Sequence, residues 1–360
     1  MTVRTVIFAA GLTAILWVGC GANGPQPAVR SNAAEPEIER RIRYYRARVA
    51  AYPRLYPAHN RMAAALLARA RLTWSPRDVA HARSALRRSL DIQPNFEAFK
   101  IMAALHNFAH RFDEARQWAV RAADAWPGDT EVIALLVEAY VGLGQADKAA
   151  ELLPAEVGDD FYLVSARAQW LESQGRRKDA ASMFVRAAEI AHRVGVRDLV
   201  VWGSVRAAGV WLDGGEPERA QPYLTRAKRL EPGDRQLRVH LAEFMTARGH
   251  PKQALAIYEA LLEERDDAFV HHAAFLVARS IGEVARAGVH YRAAESAYRH
   301  VVDAGEVYTL ESLARLYGQA RLSLGQALTL AERNVRYKKD RSAKETVAFI
   351  RSQLDPAHTL

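Results

Sequence analysis

Alanine recurs along most of the chain at intervals close to 34 residues, and this period constrains the fold more than any other feature. Each of these alanines follows a short turn and a few charged residues. The eight anchors are Ala82, Ala115, Ala149, Ala180, Ala220, Ala254, Ala294 and Ala327, at successive spacings of 33, 34, 31, 40, 34, 40 and 33 residues. Such a period predicts an array of stacked supersecondary units, because one unit cannot bury its own apolar face.

Small and turn-forming residues surround the anchors at fixed offsets. Small residues recur twelve positions upstream, as at Ala70, Ala103, Ala168, Ala208 and Ala242. Glycine lies five positions upstream at Gly144, Gly175, Gly215 and Gly249. Helices whose axes lie 8–10 Å apart leave little room for side chains, and glycine ends helices by adopting the left-handed conformation. Each unit is therefore predicted to be a pair of antiparallel helices with small residues between them.

The pattern resembles the tetratricopeptide-repeat superfamily over roughly residues 59–340. It is clearest in FEAFKIMAALHNFAHRFDEARQWAVRAADAWPGD and in RQLRVHLAEFMTARGHPKQALAIYEALLEE. The resemblance implies an all-α, right-handed solenoid of about seven to eight helix pairs, with an amino-terminal capping helix in 37–58 and a carboxy-terminal capping helix and tail in 341–360. Pro154 is expected to shorten one second helix, and the two 40-residue intervals imply longer helices or loops.

By the same resemblance, the first helices of the pairs line a concave groove that binds extended or helical segments of other proteins. Counting along those helices gives Lys100, Asn107, Glu138, Gln169, Trp202, Arg206, His240, Glu243, Arg279 and Glu283 as the candidate groove residues. Their mixed charge suits a peptide segment held by several polar contacts. Trp202 is the one predicted aromatic anchor in this groove.

The first twenty residues have the pattern of a bacterial export signal. Arg4 precedes the apolar run 6–18, which is shorter than the roughly 20 residues that span a bilayer. The run ends in Leu-Trp-Val-Gly-Cys, which resembles a lipoprotein processing site and makes Cys20, the single cysteine of the chain, the predicted acylated amino terminus. Trp17 is bulkier than the residue usual in that site. The prediction is a signal peptide over 1–19 and a flexible tether over 20–36.

This anchor implies a place for the protein in the cell. Gly21, with no aspartate after the cysteine, favours by resemblance the periplasmic face of the bacterial outer membrane over retention at the inner membrane. A secreted protein cleaved elsewhere and an uncleaved signal anchor are the alternatives.

Charge and motif content bear on the class of partner. The chain has 50 basic and 41 acidic residues, a net charge of +9, and the two signs are interleaved. Nucleic-acid binding would favour basic residues on one face with aromatic stacking partners, so the pattern disfavours it. Attraction to anionic envelope polymers or lipid headgroups is the weaker alternative. His106 and His110 have a spacing that can share a metal, but the second lies in a predicted turn, so a structural role is favoured.

No catalytic residue, metal site or cofactor is predicted, since the sequence contains no nucleophile elbow, phosphate loop or metalloprotease motif. The favoured hypothesis is an envelope scaffold or assembly adaptor that binds other proteins. A non-catalytic regulatory subunit of an enzyme acting on peptidoglycan or exopolysaccharide is the alternative, and association of identical chains through the solenoid ends stays open.

Overall fold

A computed structural model describes residues 34–354, and over this range the chain forms 18 α-helices and no strand. The helices are α1 Ala34–Ala51, α2 Tyr56–Thr73, α3 Pro76–Ile92, α4 Phe96–Phe108, α5 Phe112–Ala125, α6 Thr130–Gly142, α7 Ala146–Glu151, α8 Phe161–Ser173, α9 Arg177–Arg193, α10 Arg197–Asp213, α11 Pro217–Leu230, α12 Arg235–Ala247, α13 Pro251–Glu264, α14 Ala268–Ser280, α15 Val284–Asp303, α16 Leu310–Ala320, α17 Leu324–Val335 and α18 Arg341–Leu354.

Consecutive helices pack as eight antiparallel pairs, from α2 with α3 to α16 with α17, and the predicted all-α solenoid is confirmed. First helices of neighbouring pairs also contact each other, as α2 with α4, α4 with α6, α6 with α8 and α10 with α12. The second helices make no comparable contacts with one another over the described range. The array therefore bends toward its first helices, which places them on the concave side.

The pairs are held together where small side chains allow close approach. All eight anchor alanines lie in second helices and are fully buried. In most pairs the anchor is the fourth residue of its helix, but Ala82 and Ala294 lie further along α3 and α15. Val79 and Ala287 occupy the equivalent fourth position there and are also buried. The interval of 40 residues before Ala294 thus arises because Ala294 lies two turns beyond Ala287 on the same face of α15. Counted to Ala287, the interval is close to the common period.

Helix length explains the remaining irregular spacings. The helices α9 and α10 have 17 residues each and α15 has 20, whereas α13 and α14 have 14 and 13. The intervals that contain them are therefore long because the helices, and not the loops, are extended. At the other extreme α7 has only six residues and ends just before Leu153-Pro154, because proline cannot continue a helix.

Seven of the eight intra-pair turns contain one residue in the left-handed conformation. It lies five positions before the fourth residue of the second helix. These residues are Trp74, His110, Gly144, Gly175, Gly215, Gly249 and Gly282, with φ between 54° and 80°. Glycine adopts this conformation without a clash between its side chain and the backbone, whereas Trp74 and His110 pay a steric cost. Surrounding contacts must therefore stabilise the turns at Trp74 and His110.

The two ends of the array are covered by single helices. At the amino-terminal end α1 packs on α2, and at the carboxy-terminal end α18 packs on α16 and α17. The predicted signal peptide 1–19, Cys20 and most of the predicted tether lie outside the described residues. No helix between residues 34 and 354 is both long and apolar enough to cross a bilayer.

The superhelix closes on itself, because the carboxy-terminal repeats contact the intra-pair turns of the amino-terminal repeats. Glu306, after α15, accepts hydrogen bonds from the Arg83 guanidinium of α3 at 3.1 Å. Arg111 donates to the Gly305 carbonyl at 3.1 Å. Further along, the Lys339 amide donates to the Gly142 carbonyl at 2.7 Å. We call this set of contacts the seam.

An aromatic cluster forms the apolar part of the seam. The Trp74 ring lies 4.5 Å from that of Phe269 and 5.4 Å from that of Phe108, measured between centroids. Tyr308 packs on Phe108 at 5.4 Å and its hydroxyl donates to the Trp74 carbonyl at 2.9 Å. These contacts join α2 and α4 to α14 and to the segment between α15 and α16, so the seam also stabilises the strained turn at Trp74.

A buried ion pair fixes the segment that carries the other part of the seam. Lys338 donates to Glu311 at 2.8 Å, and both side chains are less than a tenth exposed. Burial alone would raise the pKa of Glu311, but Lys338 and Arg315 more than offset it and lower that pKa to about 2. The pair therefore holds the chain before α18 against α16, which positions Lys339 at the Gly142 carbonyl.

We expect Gly144→Ala to destabilise the protein more than Gly215→Ala. Both glycines have φ near 70°, so both substitutions place alanine in the left-handed region at a cost of about 1–2 kcal/mol. Only at Gly144 would the added Cβ lie 2.5 Å from the Lys339 carbonyl oxygen; at Gly215 nothing lies within 4 Å. The clash should add about 1–3 kcal/mol to the loss of unfolding free energy in urea titrations. Equal losses in the two variants would show that the seam does not form.

Two buried histidines next to the seam predict acid sensitivity. Burial lowers the pKa of His106 to about 3, assisted by Arg83 and Arg111, and lowers the pKa of His110 to about 3, assisted by Lys338. The unfolded chain binds these protons near pH 6.5. Above pH 6.5 neither state binds these protons, and the free energy of unfolding does not depend on them. As the pH falls from 6.5 toward 3, only the unfolded chain binds them, so the free energy of unfolding decreases.

We expect the free energy of unfolding to fall between pH 6.5 and 4, by up to about 1.4 kcal/mol per pH unit for each histidine. The double variant His106→Gln, His110→Asn should flatten this slope, since neither side chain titrates and asparagine tolerates the positive φ of position 110. His81→Gln, at an exposed site, is the control and should keep the wild-type slope. An unchanged slope in the double variant would contradict the assignment.

Candidate binding groove

The concave side is lined by polar side chains that pair from one first helix to the next. In the amino-terminal half, Lys100 of α4 donates to Glu131 of α6 at 2.9 Å, and both are about nine-tenths buried or more. Burial lowers the pKa of Lys100, but Glu131 and Glu97 more than offset this and raise it above its ordinary value. Burial raises the pKa of Glu131 to about 7, against the opposing effect of Lys100. The ion pair thus links two adjacent repeats in a desolvated environment.

Two turns further along the same helices, Asn107 meets Glu138. The Asn107 Nδ2 donates to Glu138 at 3.1 Å and to the Leu135 carbonyl at 3.0 Å. Burial raises the pKa of Glu138 to about 8, while Arg71 of α2 and Asn107 act in the opposite direction. Glu138 is therefore mainly protonated at neutral pH and can donate as well as accept a hydrogen bond.

Several polar atoms of the first helices are buried without a hydrogen-bond partner among the described residues. On α4, α6, α8 and α10 they include Asn107 Oδ1, Glu131 Oε1, Glu138 Oε1, Gln169 Nε2 and Arg206 Nε. Leaving such a group unpaired costs about 1–3 kcal/mol, so native proteins pair nearly all of them. These atoms have no exposed surface, so they belong to the packing of the inner helices and not to the open face of the groove.

In the middle of the groove the pairing runs between α8 and α10. Arg206 donates to Glu172 at 2.6 Å, and its guanidinium lies 4.9 Å from the ring centroid of Phe184. The guanidinium is thus held by a carboxylate and an aromatic face together. Glu172 remains about 29% exposed at its side chain, so this pair is accessible from the concave side.

Beyond it, His240 and Glu243 pair within α12. His240 Nδ1 donates to the Glu243 carboxylate at 2.5 Å, and the ring packs on α10 at Gly209, where an added Cβ would lie 3.3 Å from it. Burial lowers the pKa of His240, but Glu243 more than offsets this and the pKa is raised. His240 and Glu243 therefore form a closely packed unit between two first helices.

The other predicted groove residues differ in where the helices place them. Trp202 is half-buried, with its ring centroid 5.6 Å from that of Phe161 and 5.7 Å from that of Phe184, because its side of α10 faces α8 and α9. Its role as an aromatic anchor of the groove stays a prediction. Glu283 lies outside the first helices, as the exposed residue before α15, since α14 ends at Ser280. Arg279 lies at the end of α14 and donates to the Gln319 carbonyl of α16.

The partners of the predicted residues were missed by the sequence analysis. Lys100 and Glu131 are 31 residues apart, as are Asn107 and Glu138, and Glu172 and Arg206 are 34 apart. These separations equal one repeat, so each pair joins similar positions on adjacent first helices. A search for complementary polar residues one period apart would have found Glu131 and Glu172.

The described part of the chain contains no group of three or more histidine, cysteine, aspartate or glutamate side chains placed to hold a metal ion. His106 and His110 are both buried, and their Nδ1 atoms have no partner among the described residues. The arrangement in the groove is instead one of ion pairs and amide contacts, which suits recognition of a polar chain.

We expect Glu138→Gln to stabilise the protein at alkaline pH. Because the folded pKa of Glu138 is about 8 and the unfolded value about 4.5, the wild-type protein loses stability as the pH rises from 4.5 to 8. Glutamine has nearly the same shape and does not ionise. The gain in unfolding free energy of the variant should grow over that interval and become constant above it, as measured by urea titrations. A gain independent of pH would contradict the protonated state of Glu138.

Comparisons with known proteins agree with this architecture. Residues 212–276 match the family model described as tetratricopeptide repeat. No curated protein sequence matches the chain. Human IFIT1, solved as a dimer with PPP-AAAA, superposes with a TM-score of 0.51 at 15% identity, over 84% of this chain and 73% of that chain.

Two further solved structures are similar at lower scores. A tetratricopeptide repeat protein from Parabacteroides merdae has a TM-score of 0.46 at 16% identity, over 61% of this chain and 86% of that chain. A chain of the APC/C hetero-tetramer Cut9-Hcn1 has a TM-score of 0.44 at 14% identity, over 80% of this chain. The match spans only 55% of that chain's length. The match to the tetratricopeptide-repeat model thus lies within α10–α14, and the described helices repeat the same helix-pair arrangement eight times.

Proposed function

We propose that the protein is a membrane-anchored adaptor of the bacterial cell envelope, which binds a segment of another protein in its concave groove. The acylated Cys20 holds it at the periplasmic face of the outer membrane, and the residues between Cys20 and α1 act as the tether. The tetratricopeptide fold supports protein binding in general terms, and the accessible ion pair of the groove supports the choice of surface.

The observation that carries the groove assignment is the ion pair between Arg206 and Glu172, which joins two first helices at 2.6 Å and leaves the Glu172 side chain about 29% exposed. An accessible carboxylate can accept charge-assisted hydrogen bonds from a bound segment. The paired charges of the neighbouring helices supply specificity for a segment that carries both signs.

A binding role fits the groove better than catalysis. Most of its charged groups pair with one another between or within the first helices, as Lys100 with Glu131 and His240 with Glu243, an arrangement that holds the helices in place. The PPP-AAAA ligand of human IFIT1 is not carried over to this chain, since 15% identity relates the folds alone.

The groove is tested by removing one ion pair without leaving an isolated charge. We expect Glu172→Gln with Arg206→Gln to weaken partner binding about ten- to a hundredfold, the range for one or two charge-assisted hydrogen bonds. The matched control is Glu218→Gln with Arg248→Gln, which removes an exposed pair of the same 2.6 Å length between α11 and the end of α12.

The measurement is affinity capture from solubilised envelopes, followed by titration of the captured partner against each variant. Both variants should unfold at similar urea concentrations. Equal binding by the wild-type protein, the groove variant and the control variant would remove the groove from the proposal.

The anchor is tested separately at Cys20. We expect the mature amino-terminal peptide to carry acyl chains on Cys20 by mass spectrometry, and Cys20→Ala to abolish this processing. Several chains together hold a protein stably in a bilayer because each buried methylene contributes about 0.8 kcal/mol. Unchanged processing and membrane retention of the variant would exclude the lipid anchor, whatever the groove binds.

A further inference from the structure

The outermost helix at the amino-terminal end, α1, has an outer face that no repeat covers. Ile38 and Ile42, both 1% exposed, seal its inner face against the array. The outer face lies on the side opposite these two residues. Along the middle of it run Arg40, Tyr44, Ala47 and Ala51, which share one side of a helix at spacings of four, three and four residues.

This outer face combines aromatic and apolar groups with a rim of guanidinium groups. The Tyr44 side chain is 58% exposed, as is that of Tyr52 just past the end of the helix. Exposed arginines flank them on both sides: Arg43 and Arg46 on one, Arg48 on the other. The Arg48 guanidinium lies 5.5 Å from the Tyr52 ring centroid.

The arginines of this rim have no acidic partner among the described side chains, since no carboxylate there pairs with Arg43, Arg46 or Arg48. Of the three acidic residues of α1, Glu37 pairs with Arg40 and Glu39 with Arg69, and the Glu35 side chain lies outside the described ones. Among the described side chains, the positive charge of the rim is therefore not neutralised.

We propose that the outer face of α1 rests on the anionic phospholipid headgroups of the membrane to which the chain is tethered. Tyrosine places its ring at the level of the headgroups with its hydroxyl in water, and arginine extends its guanidinium to phosphate while its stem covers apolar surface. Aromatic and small apolar groups along the middle of the face, with Arg40 at one end and arginines at the rim, suit a helix that lies in the plane of the interface.

The proposal rests on the lipid anchor given above, which brings α1 to the bilayer. Thirteen residues lie between Cys20 and Ala34. Even a fully extended chain of that length spans at most about 50 Å, so the anchor keeps α1 within that distance of the bilayer surface. In the docked protein, contact of α1 with the bilayer fixes the orientation of the solenoid axis relative to the membrane. The groove then lies at a fixed height above the membrane.

Charge and geometry favour a lipid surface over other occupants. A symmetric contact with a second copy of α1 would place the unpaired arginines of one copy against those of the other. The midline is also narrow, with one ring at Tyr44 and alanines beyond it, and offers no row of stacking positions for bases. Both alternatives are outcomes of the test below.

The test measures hydrogen–deuterium exchange of α1 in the intact, acylated protein reconstituted in vesicles. One set of vesicles is pure phosphatidylcholine and the other contains phosphatidylglycerol. We expect amides of residues 40–51 to exchange more slowly on the anionic vesicles only, and the difference to vanish in high salt. Each basic residue near an anionic surface contributes about a fivefold factor in association, so three contribute about a hundredfold.

The variant Arg43→Glu, Arg46→Glu, Arg48→Glu should lose this protection. The matched control Lys178→Glu, Lys228→Glu, Arg229→Glu makes the same change in net charge on exposed positions of α9 and α11 and should keep it. Protection that is equal on both kinds of vesicle, or lost equally in both variants, would overturn the proposal. So would protection that depends on protein density or on added nucleic acid instead of on the lipid, since it would assign the face to a second copy or to a polynucleotide.

The two proposals fail separately in this experiment. The mass of the amino-terminal peptide reports whether Cys20 is acylated. If it is not, the anchor fails, and exchange with an excess of vesicles still reports whether α1 meets anionic lipid. If Cys20 is acylated and α1 exchanges alike on all vesicles, only the docking of α1 is excluded.

Discussion

Close approach of neighbouring helices at small side chains, both within and between pairs, is the constraint on which the rest of this structure depends. The anchor alanines have no exposed surface, and at Gly203 an added Cβ would lie 2.7 Å from the Phe184 carbonyl oxygen of the facing helix. Overpacking such a contact costs about 1–3 kcal/mol, and the displacement would be transmitted to the next pair. Because first helices also contact one another, the spacing of the pairs determines the curvature of the groove.

The seam adds a second constraint, because it joins repeats that are far apart in sequence. In a solenoid held only by contacts between adjacent repeats, small changes at each interface add up and alter the overall curvature, since each repeat contacts only its neighbours. Here Glu306 meets Arg83 and Tyr308 meets Trp74, so one superhelical turn is closed by direct contact. Of the four left-handed residues other than glycine within the described range, two, Trp74 and His110, lie at intra-pair turns next to these contacts. The seam thus stabilises strained backbone and holds the groove at one curvature.

The repeats could be predicted from the sequence because each signal is local. Buried small residues such as Ala220 and turn glycines such as Gly215 recur at one period and follow from helix packing alone. The seam could not be predicted, since Arg83 and Glu306 are 223 residues apart and no local pattern relates them. The groove was predicted in part. Counting placed Lys100 and Asn107 on the inner helices, but it could not show that Trp202 turns toward α9, because that depends on the rotation of α10 within the stack.

The proposed adaptor binds its partners on the concave side of the closed solenoid. Site-specific photo-crosslinking in the living cell tests it most directly, with the crosslinker placed at Gln169 on α8 or at Gln221 on the outer side of α11. We expect position 169 to give one prominent adduct with an envelope protein, which the Glu172→Gln, Arg206→Gln background removes, and position 221 to give none. Equal yields of the adduct from positions 169 and 221 would contradict binding in the groove. So would an adduct at position 169 whose yield is unchanged by the Glu172→Gln, Arg206→Gln substitutions.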